Sequence, residues 1–232
     1  MSITRLIALL LVLITTAVGC SGPVGGPATD SSSAETSTQG STSAPSSASV
    51  PAPGDTVFSL KAGSSEARYS VREQLAGQSL PGDAIGATKA VSGSITIGPG
   101  GVIVQDRSKI TVGLLDIKSD DSRRDNFLRR NTLQTGRFPN AEFAAKQAEG
   151  LAWPLPSSGE LTFKLIGDLT VRDITRTVTW DVTARVNDTG IAGNAFTSLK
   201  FADFNLTQPR VFLVVSLEDT IRLEMDFDAV KQ

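Results

Sequence analysis

Cys20 is the only thiol in this 232-residue chain, and the chain has no histidine. A single cysteine can form neither an internal disulfide nor a thiolate metal cluster. The missing imidazole removes His-based triads, His-ligated zinc and the commonest general base at neutral pH. Reactive groups remain in three places. Cys20 itself offers a nucleophilic sulfur. Arg123, Arg124, Arg129 and Arg130 lie close together and could bind an anion. Asp120, Asp121 and Asp125 stand among them, which favours a solvated face with its charges compensated. Tyr69 is the plainest ionisable side chain in an otherwise apolar series. An enzyme built there would need an acid–base pair or a nucleophile, and the inward positions supply few ionisable groups. No catalytic or metal-binding set emerges. The 22 Lys+Arg and 24 Asp+Glu leave a net charge of −2, so no basic excess points to nucleic acid.

The surroundings of Cys20 say what its sulfur is for. Arg5 gives a short positive start, and residues 6–18 are almost wholly apolar. That run matches a secretory signal core and is too short for a comfortable membrane span. It ends Ala17-Val18-Gly19-Cys20, which resembles a bacterial lipobox. The resemblance implies that the thiol receives diacylglycerol and that cleavage leaves Cys20 as the mature N-terminus, making residues 1–20 a lipoprotein signal peptide. An ordinary secretory leader is the alternative, and either one exports the protein. Residues 21–55 are rich in Ser, Thr, Pro, Ala and Gly. Such a segment cannot bury enough apolar surface to offset its ordering entropy. It is expected to be a disordered tether with a span of roughly 30–35 Å, holding a folded domain of residues 56–232 off a membrane.

The elements that would position any site begin with residues 160–186. Leu161, Phe163, Leu165, Leu169 and Val171 recur at every second position, with Gly167 in the same series. Val178, Trp180, Val182, Ala184 and Val186 then do the same. A period of two means strands with one buried face. Residues 172–176 read as the hairpin loop. Further strands are expected at residues 57–60, 67–75, 91–97, 102–115 with a bulge, 141–145, 193–201 and 221–229. Residues 76–88 read as a loop. Residues 119–133 read as a short helix entered through Ser119, Asp120 or Asp121. The apolar run 211–215 reads as a buried segment or as the hydrophobic lip of a cavity. About eight antiparallel strands fit either a sandwich or an up-and-down barrel.

Several of these pieces occur together in one known order: FSLKAGSSEARYSV, VSGSITI, SRRDNFLR, GRFPNAEF, LTVRDITRTVTWDV, SLKFADFNLTQP and IRLEMDFDAV. The ordered set resembles the YceI-like, or polyisoprenoid-binding, family over roughly residues 57–230. At the hairpin, Asp173 stands where that family commonly has glycine. The resemblance implies an all-β fold, a lipocalin-like antiparallel β-barrel of about eight strands with one short helix. It also implies a long lumen for an isoprenoid quinone, a polyprenyl lipid or a similar amphiphile.

Strand parity then nominates the lumen. Candidates are Tyr69 and Val71, Ile95 and Ile97, Val112 and Leu114, and Phe143. On the hairpin they are Phe163, Leu165, Trp180 and Val182, and further on Phe201, Leu223, Met225 and Phe227. The function expected is extracytoplasmic binding or transport of a long-chain isoprenoid, without catalysis and without a metal or other cofactor. The protein would sit on the outer face of a cell membrane through Cys20, or in a periplasm-like space. Two other classes compete: a structural or adhesion barrel with a solid core, and an enzyme acting on a lumen-bound lipid.

Overall fold

The computed structural model describes residues 51–209 and 214–232. The leader, Cys20, most of the expected tether and residues 211–213 of the apolar run lie outside the described residues. Alternating sequence becomes eleven strands among those described. They are β1 (Thr56–Leu60), β2 (Glu66–Leu75), β3 (Gly82–Thr88), β4 (Val91–Ile97), β5 (Lys109–Gly113) and β6 (Lys118–Ser119). Then follow β7 (Asn140–Glu149), β8 (Gly159–Val171), β9 (Ile174–Asn187), β10 (Gly190–Lys200) and β11 (Val214–Lys231).

Eight of them close a ring in the order β1-β4-β5-β7-β8-β9-β10-β11, and β11 pairs back to β1 through Phe58↔Lys231 and Leu60↔Ala229. The fold is a closed eight-stranded antiparallel barrel with one short helix, and the sandwich alternative falls. The eighteen residues of β11 outrun β1. Its first part pairs instead with β2, which carries β3 and β6 as a flap. Ring closure satisfies the edges that an open sheet would expose.

The organising hairpin shows how the pattern sets the register. Leu161 pairs with Ala184, Phe163 with Val182 and Leu165 with Trp180, so apolar residues of both strands share the inner face. The register runs on to Val171↔Ile174, leaving only Arg172 and Asp173 as the turn. The connection is therefore shorter than the loop expected over 172–176. Its left-handed position is Arg172, at φ 59°, and not the Asp173 that replaces glycine. Arg172 reaches back to donate to the carbonyls of Thr132 and Asn205, which ties the turn to its neighbours.

The helix starts where its capping residues predict. The Asp121 carboxylate accepts from the backbone N–H of Arg123 at 2.7 Å and of Arg124 at 3.4 Å. Helix α1 (Ser122–Phe127) runs directly into a π-helical stretch, Leu128–Thr132.

Four expectations are corrected. Residues 82–88 are strand β3, not loop, because their inward positions are Ala84, Gly86 and Thr88, too small to show as hydrophobic periodicity. Residues 102–106 do not begin a strand continued by 108–115. Ile103 makes one isolated bridge to Ile97, and a 3-10 turn (Gln105–Arg107) precedes β5. The tether ends before residue 55, since Asp55 is covered and ion-paired to Arg107 at 2.5 Å. At the described end of the apolar run Val215 is 69 % exposed, so that run is not buried throughout.

Paired surface carboxylates give this fold a pH dependence on the acid side. Hydrogen bonds from Arg68, then Asn194, hold Asp226 below the ordinary carboxylate range. Lys146 and then Thr177 do the same for Asp168, and the helix N–H groups do so for Asp121. A carboxylate whose pKa is depressed in the folded state stabilises it above the unfolded pKa. That contribution is lost as pH falls through the folded value. The melting midpoint is thus expected to hold between pH ~7 and ~5 and to drop below about pH 4. Melts across that range check it, and an unchanged midpoint at pH ~3 would count against these pairs.

Candidate functional site

Along each long strand the inward residues divide into two groups. Near the end that carries the β8–β9 turn they face a cavity, and further along they pack into a solid core. On β8 Leu169 and Val171 face the cavity, whereas Leu161, Phe163 and Leu165 do not. On β9 Trp180 faces it and Val182 does not. On β11 Ile221, Leu223 and Met225 face it and Phe227 does not. The cavity has a volume of about 170 Å³. Besides β2 and β3, two further elements outside the ring cover part of it. The helical segment supplies Arg124, Leu128, Thr132 and Leu133. The chain after β10 supplies Phe201, Phe204 and Leu206. The Thr132 hydroxyl donates to the Thr207 carbonyl at 2.9 Å and links the two covers.

Of the residues nominated from sequence, Tyr69, Val71, Val112, Leu114, Phe143, Trp180, Phe201, Leu223 and Met225 lie together on this wall. Ile95, Ile97, Phe163, Leu165, Val182 and Phe227 do not. They belong to, or pack against, the filled core. Parity assigns a face but carries no information on height along the barrel, so it could not separate the two groups. Trp180 packs edge-on to Phe143 with ring centroids 6.0 Å apart. Trp153 stands apart from the wall, against Gly101.

The wall also carries charge that sequence reading missed. Glu73 and Arg124 are both buried and meet at 2.6 Å. The other side of the Arg124 guanidinium holds Asp120 at 2.5 Å. Burial alone would lower the Arg124 pKa, but Asp120 and Glu73 more than offset it and raise the value. The expected solvated face therefore holds for Arg123 and Arg130, which are exposed, and fails for Arg124. Both members of the pair had a signal. Glu73 continues the series Tyr69, Val71, and Arg124 shares a helix face with Leu128 and Thr132. Arg68, also on the wall, holds Glu66, Glu224 and Asp226.

Two of the lining residues each carry a fully covered polar atom with no protein partner among the described residues, the Tyr69 hydroxyl and the Trp180 Nε1. Burial pushes the Tyr69 pKa up to about 12, so the phenol keeps its proton. The arrangement is an apolar chamber whose charged lining residues Glu73, Arg124 and Arg68 are ion-paired. It can enclose an apolar molecule.

Comparison with known proteins supports this architecture. The profile of the YceI-like domain matches residues 58–229. Among solved structures, a polyisoprenoid binding domain from Saccharophagus degradans implicated in plant cell wall breakdown superposes with a TM-score of 0.57 at 11 % identity. That match covers 75 % of this chain and 98 % of the other. BcnA of Burkholderia cenocepacia superposes with a TM-score of 0.52 at 16 % identity, covering 72 % of this chain and 98 % of the other. At these identities the likeness is one of fold. No curated protein sequence matches the chain.

Proposed function

Since the chain belongs to the YceI-like family, whose profile spans the whole barrel, we propose that it binds an isoprenoid or similar amphiphilic lipid in the cavity beneath the helix. The observation that carries this reading is the chamber itself, an apolar space walled by Trp180, Phe143, Leu223 and Met225 inside a closed ring. The Saccharophagus domain of the same fold is a polyisoprenoid binding domain, which supports the choice of ligand. Apolar burial supplies the affinity at about 25 cal/mol per Å². A volume of about 170 Å³ is close to that of a cavity that takes one aromatic ring and below the usual range for larger ligands. The chamber thus seats a head group or a chain end.

The reading extends to the chain's N-terminal region. We propose that Cys20 carries the diacylglyceryl anchor, that the protein is extracytoplasmic, and that the low-complexity segment expected over residues 21–55 acts as the tether ahead of the ion-paired Asp55. Two acyl chains suffice for stable membrane attachment. Binding is proposed without turnover, because the ionisable groups Glu73, Arg124 and Arg68 on the cavity wall are engaged with one another or with neighbouring charges. The test is solvent extraction of the protein purified from membranes, followed by mass spectrometry. One isoprenoid, chemically unaltered, is expected at close to one per protein. Absence of any lipid would argue for a filled structural barrel, and a converted lipid for an enzyme. In the same preparation Cys20→Ser should move the protein to the soluble fraction. A Cys20→Ser protein still membrane-bound after leader removal would contradict the anchor.

A further inference from the structure

We infer that ligands enter and leave the chamber through the side of the barrel, at a split between β9 and β10, and that Phe204 is the stopper. This rests on the lipid-binding reading and adds a route to it. β10 pairs with β9 only from Gly190↔Asn187 to Phe196↔Asp181. Past that point β9 stays paired to β8 as far as Ile174, and β10 stays paired to β11 as far as Lys200. The two strands therefore part at the chamber end of the barrel, each still held by its other neighbour. Strand pairing is what seals a barrel wall, and it is missing here along residues 174–180 of β9.

A second cavity, of about 510 Å³, lies at the split. It is open to solvent and polar, with the exposed side chains Arg176, Thr177, Thr179, Asp181, Ser198 and Asp203 on its wall. Two residues, Leu199 and Phe204, line both this groove and the chamber. A wet space and an apolar one thus meet across two apolar side chains. Leu199 belongs to β10. Phe204 is 1 % exposed and is carried by the 3-10 turn Phe201–Phe204 that follows the strand. Of the two, only Phe204 can swing aside without disturbing a strand.

Opening the chamber elsewhere breaks stronger ties. Moving the helical cover would part Arg124 from Glu73 and leave a buried carboxylate without its counter-charge. Moving β2 would unpair it from β11 along the ladder from Val71↔Ile221 to Glu66↔Asp226. The split is crossed by a hydrogen bond from the Thr197 hydroxyl to the Thr179 carbonyl, at 2.9 Å. A neutral hydrogen bond of this kind is a weak latch beside a buried ion pair or a strand ladder.

The test uses the full chain with Cys20→Ser and Trp153→Phe, stripped of lipid in detergent. Trp180 is then the only indole, and any added cysteine the only thiol. The probe is a quinone with a geranylgeranyl chain, and stopped-flow quenching of Trp180 reads its entry. Thr177→Cys coupled to a polyethylene glycol maleimide obstructs the groove and should slow entry about tenfold or more. The same label on Thr183→Cys, where β9 and β10 are paired, or on Arg123→Cys of the helix should leave the rate within about twofold. Phe204→Ala should speed entry and exit alike, by about tenfold. If that variant proves unstable, Thr197→Val removes only the latch and should speed both about twofold to tenfold, the worth of one hydrogen bond. Entry indifferent to the Thr177 label, or slowed as much by the Arg123 label, overturns the split while leaving lipid binding intact. No quenching in any of these proteins overturns both.

Discussion

Arg124→Met should destabilise the barrel by about 3–5 kcal/mol, the usual cost of removing one partner from a buried ion pair. Glu73 would remain on an apolar wall with its carboxylate almost wholly out of water, having lost the guanidinium 2.6 Å away. The helix would also lose its ionic tie to β2. Replacing both residues, as Glu73→Leu with Arg124→Met, should recover most of the loss, because two packed apolar side chains need no charge compensation. The comparison is made by denaturant unfolding at constant slope. If the single variant falls within about 1 kcal/mol of wild type, or the double variant is as weak as the single, the pair does not fasten the cover in the way its burial suggests.

Trp180→Ala should have an effect of similar size with a different signature. Removing a buried aromatic side chain costs about 3–5 kcal/mol, through lost transfer energy and the space left behind. For a domain of this size that corresponds to a fall in Tm of roughly 6–20 °C. Trp180 packs on Phe143 from one side and faces the cavity from another. In protein stripped of lipid, the loss should therefore lie at the low end of the range. In lipid-loaded protein the indole also contacts the ligand, and the loss should be larger. Melting curves of both forms distinguish the cases. An equal loss in the two forms would place Trp180 in ordinary core.

Much of this architecture was legible in the chain, and the reasons differ by element. Strands β8, β9 and β11 carry large apolar residues at most inward positions, so their periodicity speaks plainly. Asp121 announces the helix because its carboxylate has no better use than the free N–H groups behind it. Strand β3 was illegible because its inward residues are Ala84, Gly86 and Thr88. Gly86 is small for a reason seated on another strand, the ring of Tyr69. The ion pair was illegible as a pair, since 51 positions separate Glu73 from Arg124 and the pairing of β2 with β3 and of β3 with β6 is what brings them near. The chamber was only half legible. Alternation marks Phe163 and Trp180 alike as inward. The helix and the segment after β10 decide which of them meets open space and which meets packing.

Binding in the chamber is tested most directly by quinone titration of the Trp153→Phe protein. That substitution leaves Trp180 as the only indole in the chain, set on the cavity wall, while Trp153 lies off it against Gly101. A quinone accepts energy or electrons from a nearby excited indole, so occupancy of the chamber should quench Trp180 emission. The account predicts saturable quenching that reaches its plateau near one quinone per protein. Emission that stays constant, or that declines linearly without saturation as it would for free collisions, would contradict it.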